Sequence, residues 1–345
     1  MYQIYSLNES EKWTEYYNRI NHKDIYYKME FFRAFEKFEG SQALLFIYEE
    51  GQNLVYYPFF KRVIKDSLYF DITSQYTYGG PLFNIVDNND DFVLNFRNVF
   101  ASFCIENQIV SEFVRFHPFI NNQELLKDFF TIQCVNEGVY IDLKKEAEDI
   151  YSDYRPDTRY QINKAKRLGH QVVFSNNIED LDLFFPIYEH TLQRNNADSN
   201  HYFLNKDFLK LLISELKDNF EFIFILLNDT YVSAELDLFT EKYVHAVVGG
   251  TLKDYFKGHP NHLLRHALTL NHNGGNQEKL ILGSGGKRGD GIFEYKIKFN
   301  PIGIYELHMG QKIHDEEKYN ELVKKRQETY PEKELNPNYF PLYRS

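Results

Sequence analysis

The feature that most constrains this chain is a run of glycines between an apolar segment and an amphipathic one. Five glycines fall within the nine residues from Gly283 to Gly291, after KLIL and before GIFEYKIKF. Glycine allows left-handed backbone angles and a close approach of the backbone to a ligand. An ordinary turn needs only one or two glycines, and ligands favour the carboxyl ends of strands, so the run predicts a ligand-binding turn. It lacks the Gly-Lys-Ser/Thr spacing of a Walker loop.

The glycine run belongs to a longer series of elements between Tyr243 and Phe299. The pattern predicts a strand, a loop at Gly249-Gly250, a helix, a strand, the glycine turn and a helix. The first half of the chain has the same order of elements, with Gly79-Gly80 in the corresponding place. This repeat predicts two copies of one α/β fold with mixed sheets, packed side by side.

The length of the chain agrees with a division into two domains. Its 345 residues are too many for one ordinary core and fit two domains of common size. The expected N-terminal domain is 1–145, completed by the C-terminal segment 310–345. The expected second domain is 146–309, which carries the glycine turn.

Charge and cysteine content narrow the functions that the chain can have. The net charge of −11 argues against DNA binding, because proteins that hold duplexes usually present a broad basic face. Cys104 and Cys134 lie in apolar surroundings without metal-ligand spacing, so both are expected to be core thiols and no metal site is predicted. The sequence shows neither a secretory signal nor an apolar run of membrane-spanning length, which predicts a cytoplasmic protein without a transmembrane segment.

Two features of the stretch from Tyr243 to Phe299 suit an anionic ligand. The segment from Gly258 to Asn261 precedes a predicted helix, and free backbone N–H groups at a helix N-terminus bind anions. Lys296 shares a predicted helical face with apolar Phe293. Burial of a lysine is costly unless it is paired or binds an anion, so Lys296 is a candidate to neutralise a phosphate or to stabilise a tetrahedral oxyanion. The structural alternative is a snorkelling side chain.

Other charged residues are candidates for binding and proton transfer. A predicted helix carries a basic cluster whose functional interpretation is a phosphate contact, and whose structural alternative is a solvated face: Arg155, Arg159, Lys164, Lys166 and Arg167. Glu235 and Asp237 alternate with apolar residues on one strand and are expected to share a face. Either of these acids, or His245 on the next strand, is a candidate general base. A lone histidine in a strand is more often a satisfied core residue.

Several of these segments together resemble the FemA/FemB/FemX family of peptidyl transferases, which is built from tandem GNAT-like domains. TRYQINKAKRLG resembles the basic helix of the family, and PNHLLRHAL with LGSGGKRGDGIFEYKIKF resembles its C-terminal block. The likeness covers most of residues 145–325 and is weaker at YFDITSQYTYGGPLF and EFVRFHP. It implies two tandem GNAT-like acyltransferase domains.

The resemblance also implies an activity, which is transfer of an aminoacyl group from aminoacyl-tRNA to an amine on a peptidoglycan precursor. It implies a donor channel in the second domain and an acceptor cleft between the domains. The Phe-Lys pair of the family falls on Tyr295 and Lys296; with Glu235 from the strand pattern, the expected catalytic residues are Lys296, Tyr295 and Glu235. The expected substrate-binding residues are Arg159, Asn163, Tyr76, Tyr78, Gly283, Gly285, Gly286 and Asn261.

Departures from the family pattern leave the acyl donor open between aminoacyl-tRNA and acyl-CoA. Tyr295 stands where the family usually has Phe, and in GNAT enzymes a Tyr on this helix can protonate the thiolate of coenzyme A. Ser284 interrupts the usual glycine run, and the long helical arm of some family members has no counterpart. Neither donor would be a tightly bound cofactor.

Three hypotheses follow for the function. The first is an N-acyltransferase of cell-envelope biosynthesis acting on a small-molecule acceptor, either a nucleotide sugar or a lipid-linked precursor. The second is an acyl-CoA-dependent N-acetyltransferase of an amino sugar for a surface polysaccharide. The third is a non-catalytic GNAT-like pair that binds a ligand, which the absence of an obvious base in the sequence favours modestly. The oligomeric state remains open.

Overall fold

The computed structural model describes residues 1–86, 91–195 and 205–345. The chain divides into two compact units. Unit 1 comprises Met1–His22, Tyr26–Val135 and Leu307–Ser345, and unit 2 comprises Lys23–Ile25 and Asn136–Glu306. The divisions fall earlier than the expected limits of 145 and 309, because the strand that carries residues 136–142 pairs within unit 2.

Unit 1 contains a mixed sheet with helices. Its strands are β1 (Tyr2–Ser6), β2 (Gln42–Glu50), β3 (Asn53–Val63), β4 (Phe70–Thr73), β5 (Leu82–Asn84), β6 (Ile109–Arg115) and most of β13 (Ile304–Ile313). Its helices are α1 (Ser10–Arg19), α2 (Met29–Glu39), α3 (Phe92–Glu106), α4 (Asn122–Leu126) and α11 (Glu316–Thr329). The sheet order is β1-β2-β3-β4-β6-β13, with β5 paired to β3.

Unit 2 contains a second mixed sheet. Its strands are most of β7 (Thr131–Asp142), then β8 (Gln171–Ser175), β9 (Phe220–Leu227), β10 (Thr230–Phe239), β11 (Tyr243–Thr251) and β12 (Lys279–Ser284). Its helices are α5 (Ala147–Asp153), α6 (Pro156–Arg167), α7 (Leu181–Arg194), α8 (Lys206–Leu216), α9 (Pro260–His272) and α10 (Gly291–Lys296). The sheet order is β8-β9-β10-β11-β12-β7.

The two sheets repeat one topology. In unit 1 an antiparallel meander β1-β2-β3-β4 is followed by β6, parallel to β4, and then by antiparallel β13. In unit 2 the meander β8-β9-β10-β11 is followed by β12, parallel to β11, and then by antiparallel β7. The repeat of mixed α/β units predicted from the order of elements is therefore confirmed.

The core of unit 1 is aromatic and encloses one ion pair. Phe46 of β2 packs against Phe100 of α3 with ring centroids 4.9 Å apart. Among these rings, Arg97 Nη2 donates to Glu112 Oε2 over 2.8 Å, and both side chains are at most 3% exposed. The hydroxyl of Tyr57 and the ring of His314 also bond to the Glu112 carboxylate. This network links α3, β3, β6 and the residue that follows β13 through groups that would each be costly to bury alone.

Two expectations about individual residues were wrong. Gly249 and Gly250 lie within strand β11 and not in a loop after it. A Cβ at Gly250 would come within 2.6 Å of the carbonyl oxygen of Ile187, so glycine is needed there because α7 packs directly on the strand. Cys104 is a buried thiol as expected, but Cys134 is exposed, because this end of β7 leaves its side chains in solvent.

Candidate functional site

A cluster of charged side chains lies in unit 2 between β10, α9 and α10. Arg265 of α9 donates from Nη2 to Oε2 of Glu235 on β10, at 2.5 Å. Both side chains are buried, with exposed fractions of 5% and 12%. The other oxygen of Glu235, together with Nε and Nη1 of Arg265, has no hydrogen-bond partner among the described residues. Asp237 and Tyr295 are close enough to share hydrogen bonds with this pair, so part of its remaining donor and acceptor capacity is left for a ligand or for water.

Lys296 is the second cation of the cluster. It ends α10, and its Nζ donates to the carbonyl oxygen of Ser284, 2.8 Å away, at the end of β12. Burial and the positive charge of Arg265 together lower the pKa of Lys296 to about 8, against the opposing negative charges of Glu235 and Asp290. An ammonium has three donors. Lys296 is thus a desolvated cation that is still mostly charged at neutral pH, with N–H groups to spare.

Asp237 lies two residues along β10 from Glu235 and is fully buried. Neither of its carboxylate oxygens accepts a hydrogen bond from the described residues. Burial raises the pKa of Asp237 well above its ordinary value, and the negative charge of Glu235 raises it further, against Arg265. A protonated Asp237 leaves Glu235 as the acid that balances Arg265, while the negative charges of Glu235 and Asp290 both act on Lys296.

We expect Asp237→Asn to leave the protein at least as stable as the wild type at pH 7. A carboxyl whose folded pKa is raised loses stability as the pH rises above its ordinary value of 3.8, because only the unfolded state then releases the proton. The neutral amide removes this penalty, so its advantage shrinks as the pH falls towards 4. Thermal unfolding at pH 7 and 4.5, followed by circular dichroism, measures both values. A variant less stable at pH 7 than at 4.5, relative to wild type, would contradict a neutral Asp237.

Tyr295 precedes Lys296 and contacts the first turn of α9. Its hydroxyl donates to the carbonyl oxygen of Asn261 over 3.1 Å, and the ring of His262 packs edge-on against it at 5.2 Å. Burial raises the pKa of Tyr295, although the charge of Arg265 opposes the shift. Tyr295 is therefore a protonated phenol throughout the physiological pH range. The pKa of His262 falls to about 4 because it is buried, so its imidazole is neutral at pH 7.

The glycine turn is organised by Asp290, which caps α10. One carboxylate oxygen accepts the N–H groups of Ile292 and Phe293, and the other accepts those of Gly286 and Lys287. Burial opposes ionisation of Asp290, but these four backbone hydrogen bonds lower its pKa. The turn is therefore folded around a carboxylate, which the glycine count alone does not reveal.

Two side chains of strand β7 also bind the glycine turn. Asn136 Nδ2 donates to the carbonyl oxygen of Gly285 over 3.2 Å, and Arg288 forms an ion pair with Glu137, with Nε 3.0 Å from Oε2. The turn begins at Gly283, where φ is +76°, a backbone conformation that favours glycine. A Cβ at Gly283 would lie 3.4 Å from Lys296 Nζ, so the turn and the lysine are neighbours.

We expect Gly285→Ala to reduce acyl transfer much more strongly than Gly286→Ala. A Cβ at Gly285 would collide with the Asp290 carboxylate, whereas one at Gly286 would make an ordinary contact at 3.4 Å. Displacement of Asp290 would release the hydrogen bonds that shape the turn and start α10. Steady-state kinetics of the two variants, with circular dichroism as a check of folding, tests this. Equal activity of the two would contradict a role for the shape of the turn.

Other predicted site residues have structural partners. Arg159 Nη1 donates to the carbonyl oxygens of Ser152, at 2.7 Å, and Tyr154, at 2.5 Å, so this guanidinium secures the C-terminal end of α5. Asn163 is exposed and donates to the hydroxyl of Tyr151 over 3.0 Å. The substrate-binding role of Arg159 and Asn163 stays a prediction, to which these contacts add a structural role.

The remaining predicted residues lie in two places. Tyr76 and Tyr78 belong to unit 1, where Tyr78 is buried beside His117 and Tyr76 is half-buried over Arg115. His245 in unit 2 is buried, and its Nε2 lies 2.8 Å from Asp24 Oδ2. His245 is thus a satisfied core residue, which the sequence favoured over a catalytic base.

The start of α9 is bordered by positive charge. His259 precedes the helix with φ of +55°, and Pro260 is its first residue. Burial lowers the pKa of His259, and the nearby charges of Lys164 and Lys298 lower it further. Lys298 is paired with Asp157 at 2.9 Å. The helix start that the sequence predicted as an anion site therefore has two lysines near it.

Sequence reasoning missed Arg265 and Asp290. Arg265 lies four residues after Asn261 on a helix otherwise rich in leucine, and a lone arginine on such a face was an available signal. Asp290 lies between the last two glycines of the turn, directly before the predicted helix, which is a typical N-cap position.

One family model matches part of the chain. Residues 152–271 match a family model described as the acetyltransferase (GNAT) domain. None of the curated proteins matches the chain in sequence. Within the described residues, no helix has the length and apolar character needed to cross a membrane.

Solved structures match nearly the whole chain. FemX is similar over 93% of this chain and 99% of its own, with a TM-score of 0.72 and 11% identity. The C-terminal domain of a putative lysylphosphatidylglycerol synthetase from Agrobacterium fabrum is similar over 88% and 92%, with a TM-score of 0.54 and 12% identity. A tandem GNAT protein from the clavulanic acid biosynthesis pathway is similar over 90% and 98%, with a TM-score of 0.50 and 7% identity.

These likenesses define the class of protein. Residues 152–271 match the GNAT acetyltransferase domain, and this match supports an acyltransferase. The chain as a whole has the FemAB-like fold of tandem GNAT domains, as the resemblance in sequence predicted. At these identities the solved structures establish the fold alone.

Proposed function

We propose that this protein is an N-acyltransferase that transfers an acyl or aminoacyl group to an amine of a cell-envelope precursor. The observation that carries the proposal is Lys296, a desolvated ammonium next to Arg265 and the glycine turn, within a unit that contains a GNAT domain. Such a cation has more than one donor free for a developing negative charge. In a low-dielectric site a fixed charge of this kind stabilises an oxyanion strongly.

In the proposed reaction the nitrogen of the acceptor amine attacks the carbonyl carbon of the acyl donor. A C–N bond forms, and the C–O bond of an aminoacyl ester or the C–S bond of a thioester breaks. Lys296, with those backbone N–H groups of the glycine turn that Asp290 does not bind, stabilises the negative carbonyl oxygen of the tetrahedral intermediate. Holding the two substrates together supplies much of the remaining acceleration.

Two side chains fit the proton transfers of this reaction. The Oε1 atom of Glu235 has no described partner and is proposed to accept the proton that leaves the amine, directly or through water. Arg265 holds the other oxygen of Glu235 and fixes the orientation of the carboxylate. Tyr295 carries its proton at neutral pH and is proposed to donate it to the departing oxygen or sulfur.

The proposed donor site combines the start of α9, which includes Asn261, with the glycines of the turn in the same unit: Gly283, Gly285 and Gly286. Lys164 and Lys298 lie close enough to His259 to perturb its pKa, and backbone N–H groups of a long helix face the same end. Phosphate groups occur both in coenzyme A and at the acceptor end of a tRNA, so this site suits either donor. Arg159, Asn163, Tyr76 and Tyr78 remain proposed substrate-binding residues.

The proposed acceptor is a nucleotide sugar or a lipid-linked precursor, in the cytoplasm. This proposal is supported by the likeness to FemX and to a lysylphosphatidylglycerol synthetase. The second candidate is an acyl-CoA-dependent N-acetyltransferase of an amino sugar. Tyr295 favours that candidate, because a protonated phenol next to the cluster suits a thiolate leaving group.

Paired donor assays distinguish these functions. The wild-type protein is incubated with acetyl-CoA or with a mixture of aminoacyl-tRNAs, in the presence of amine-bearing UDP-sugars and UDP-linked peptides, and products are detected by mass spectrometry. Product from only one donor class identifies that class. Ligand binding in thermal-shift assays without turnover for any combination would overturn the enzymatic proposal and support a non-catalytic binding module.

A further inference from the structure

A pocket lies in unit 1 and contains none of the residues proposed for acyl transfer. Its cavity volume is about 250 Å³. It is lined by the turn between β3 and β4, by one face of α11 and by the end of the chain, through Ile64, Lys65, Asp66, Leu322, Lys325, Arg326, Thr329, Tyr330, Tyr343 and Arg344. These residues all belong to unit 1, so the pocket is described within one compact unit.

The lining divides into an apolar floor and a basic rim. Ile64, Leu322 and Tyr343 are buried and belong to one small hydrophobic cluster. Four basic side chains line the pocket against a single acid, Asp66, although the chain as a whole has a net charge of −11. Concentration of positive charge around a concave apolar surface attracts anions that carry an apolar body.

Two of the cations retain capacity to bind. Nη1 of Arg326 is buried and has no hydrogen-bond partner among the described residues, whereas Nε and Nη2 donate to the backbone oxygen of Ser345. Lys65 is exposed and forms no ion pair in the described chain. By contrast, Arg344 is held by Asp71, with Nε 2.6 Å from Oδ2. The pocket thus presents a guanidinium that is held by Ser345, lies over the Tyr330 ring and has one unpaired donor, together with a second, exposed cation.

Helix capping explains only some of the basic residues that line this pocket. Cations in the last turn of a helix interact favourably with its dipole. This effect accounts for basic residues near the end of α11, but it does not require a cavity, nor does it explain Lys65, which comes from a different element. Lys324, next to Lys325 on the same helix, is absent from the lining and faces Glu328 instead.

We propose that this pocket binds a small phosphate-bearing molecule with an apolar body. The phosphate would accept a charge-assisted hydrogen bond from Arg326 Nη1 and would approach Lys65 and Lys325, while the body would contact Ile64 and Leu322. Guanidinium geometry suits phosphate oxygens, and such bonds are stronger than neutral ones. The site is additional to the acyl-transfer site and does not depend on the proposed function.

Phenyl phosphate is a suitable probe. Inorganic phosphate and phenol serve as comparison ligands, because each carries only the anionic or only the apolar part of the probe. Isothermal titration calorimetry of the full chain is expected to show saturable binding of phenyl phosphate that is tighter than that of phosphate and weakens with added salt. Arg326→Met is expected to weaken binding by about tenfold or more, because it removes a charge-assisted bond. Lys65→Met is expected to weaken it by a few-fold, and Lys324→Met is the matched control with unchanged affinity.

The Lys65→Met variant keeps the test valid if Arg326→Met does not fold, because Lys65 is exposed and contributes no contact to the core. Absence of saturable binding, equal binding of phenol, or equal weakening by Lys324→Met would overturn the proposal. Acyl transfer by Lys65→Met is expected to equal that of wild type, so failure here is distinguishable from failure of the proposed enzymatic function.

Discussion

Lys296→Met is expected to lower kcat/KM for acyl transfer by about 10²–10³-fold while the protein remains folded. Methionine keeps the length and the apolar contacts of the side chain but removes the ammonium. The tetrahedral intermediate then loses the charge closest to its oxyanion, whereas substrate binding in the ground state is little affected. The loss should therefore appear mainly in kcat.

Lys287→Met is the matched control for this substitution. Lys287 lies in the same glycine turn, but its side chain is exposed, and only its backbone N–H takes part in the Asp290 network. Its activity should stay close to that of wild type. If Lys296→Met retained full turnover, or if both variants lost activity equally, Lys296 would not be the residue that stabilises the oxyanion.

The pKa of Lys296 also predicts how the rate of acyl transfer changes at high pH. Burial and Arg265 lower the pKa of Lys296 to about 8, so the cation predominates below pH 8 and is lost as the pH rises through that value. The rate should therefore fall above pH 8 in the wild type. In Lys296→Arg the guanidinium stays charged, and any residual activity should persist to higher pH. A basic limb at the same pH in both proteins would assign the titration to another group.

Arg97→Met is expected to destabilise unit 1 by about 3–5 kcal/mol. Arg97 is the main charge partner of Glu112, and both residues are buried among phenylalanine rings. Without the guanidinium, the carboxylate keeps only His314 and Tyr57 and must remain desolvated or take up a proton. The single tryptophan of the chain, Trp13, is fully buried in unit 1, so its fluorescence during denaturant unfolding reports this unit.

Arg19→Met is the control for an ion pair at the surface. Arg19 pairs with Glu49 at 2.6 Å, but its side chain is 45% exposed, and exposed pairs contribute at most about 1 kcal/mol. Comparable destabilisation by the two variants would contradict the energetic importance that burial gives to the Arg97–Glu112 pair.

The Arg97–Glu112 pair also determines how the stability of the fold responds to low pH. Burial alone would raise the pKa of Glu112, but Arg97 and His314 lower it to about 2. The pair therefore stabilises the fold fully above the ordinary carboxyl value of 4.5, and its contribution is lost as the pH falls towards 2.

The sequence located the features that depend on local chemistry. The five glycines of Gly283–Gly291 marked the turn after a strand, and the order of elements revealed the repeat, because glycine content and hydrophobic periodicity act over short distances. Lys296 was identified as a costly charge on an apolar face; it is half-buried, and desolvation lowers its pKa. The resemblance of several short segments to one family supplied the fold.

Tertiary structure decided which side chains meet. Glu235, Arg265 and Lys296 come from three separate elements, and their proximity depends on how α9 and α10 pack on β10 and β12. Arg159 has the type of side chain expected for a phosphate contact, yet it binds the end of α5, because a guanidinium satisfies whichever carbonyl groups packing brings near.

What the sequence by itself determined is therefore the repeated α/β architecture and the glycine turn with its lysine. What only the tertiary structure decided is the charge state of the cluster. The reduced pKa of Lys296 and the neutral Asp237 both arise chiefly from desolvation, and the charge of Arg265, which comes from a separate helix, acts on both. Desolvation depends on everything that surrounds a group in space, and a linear sequence does not specify that environment residue by residue.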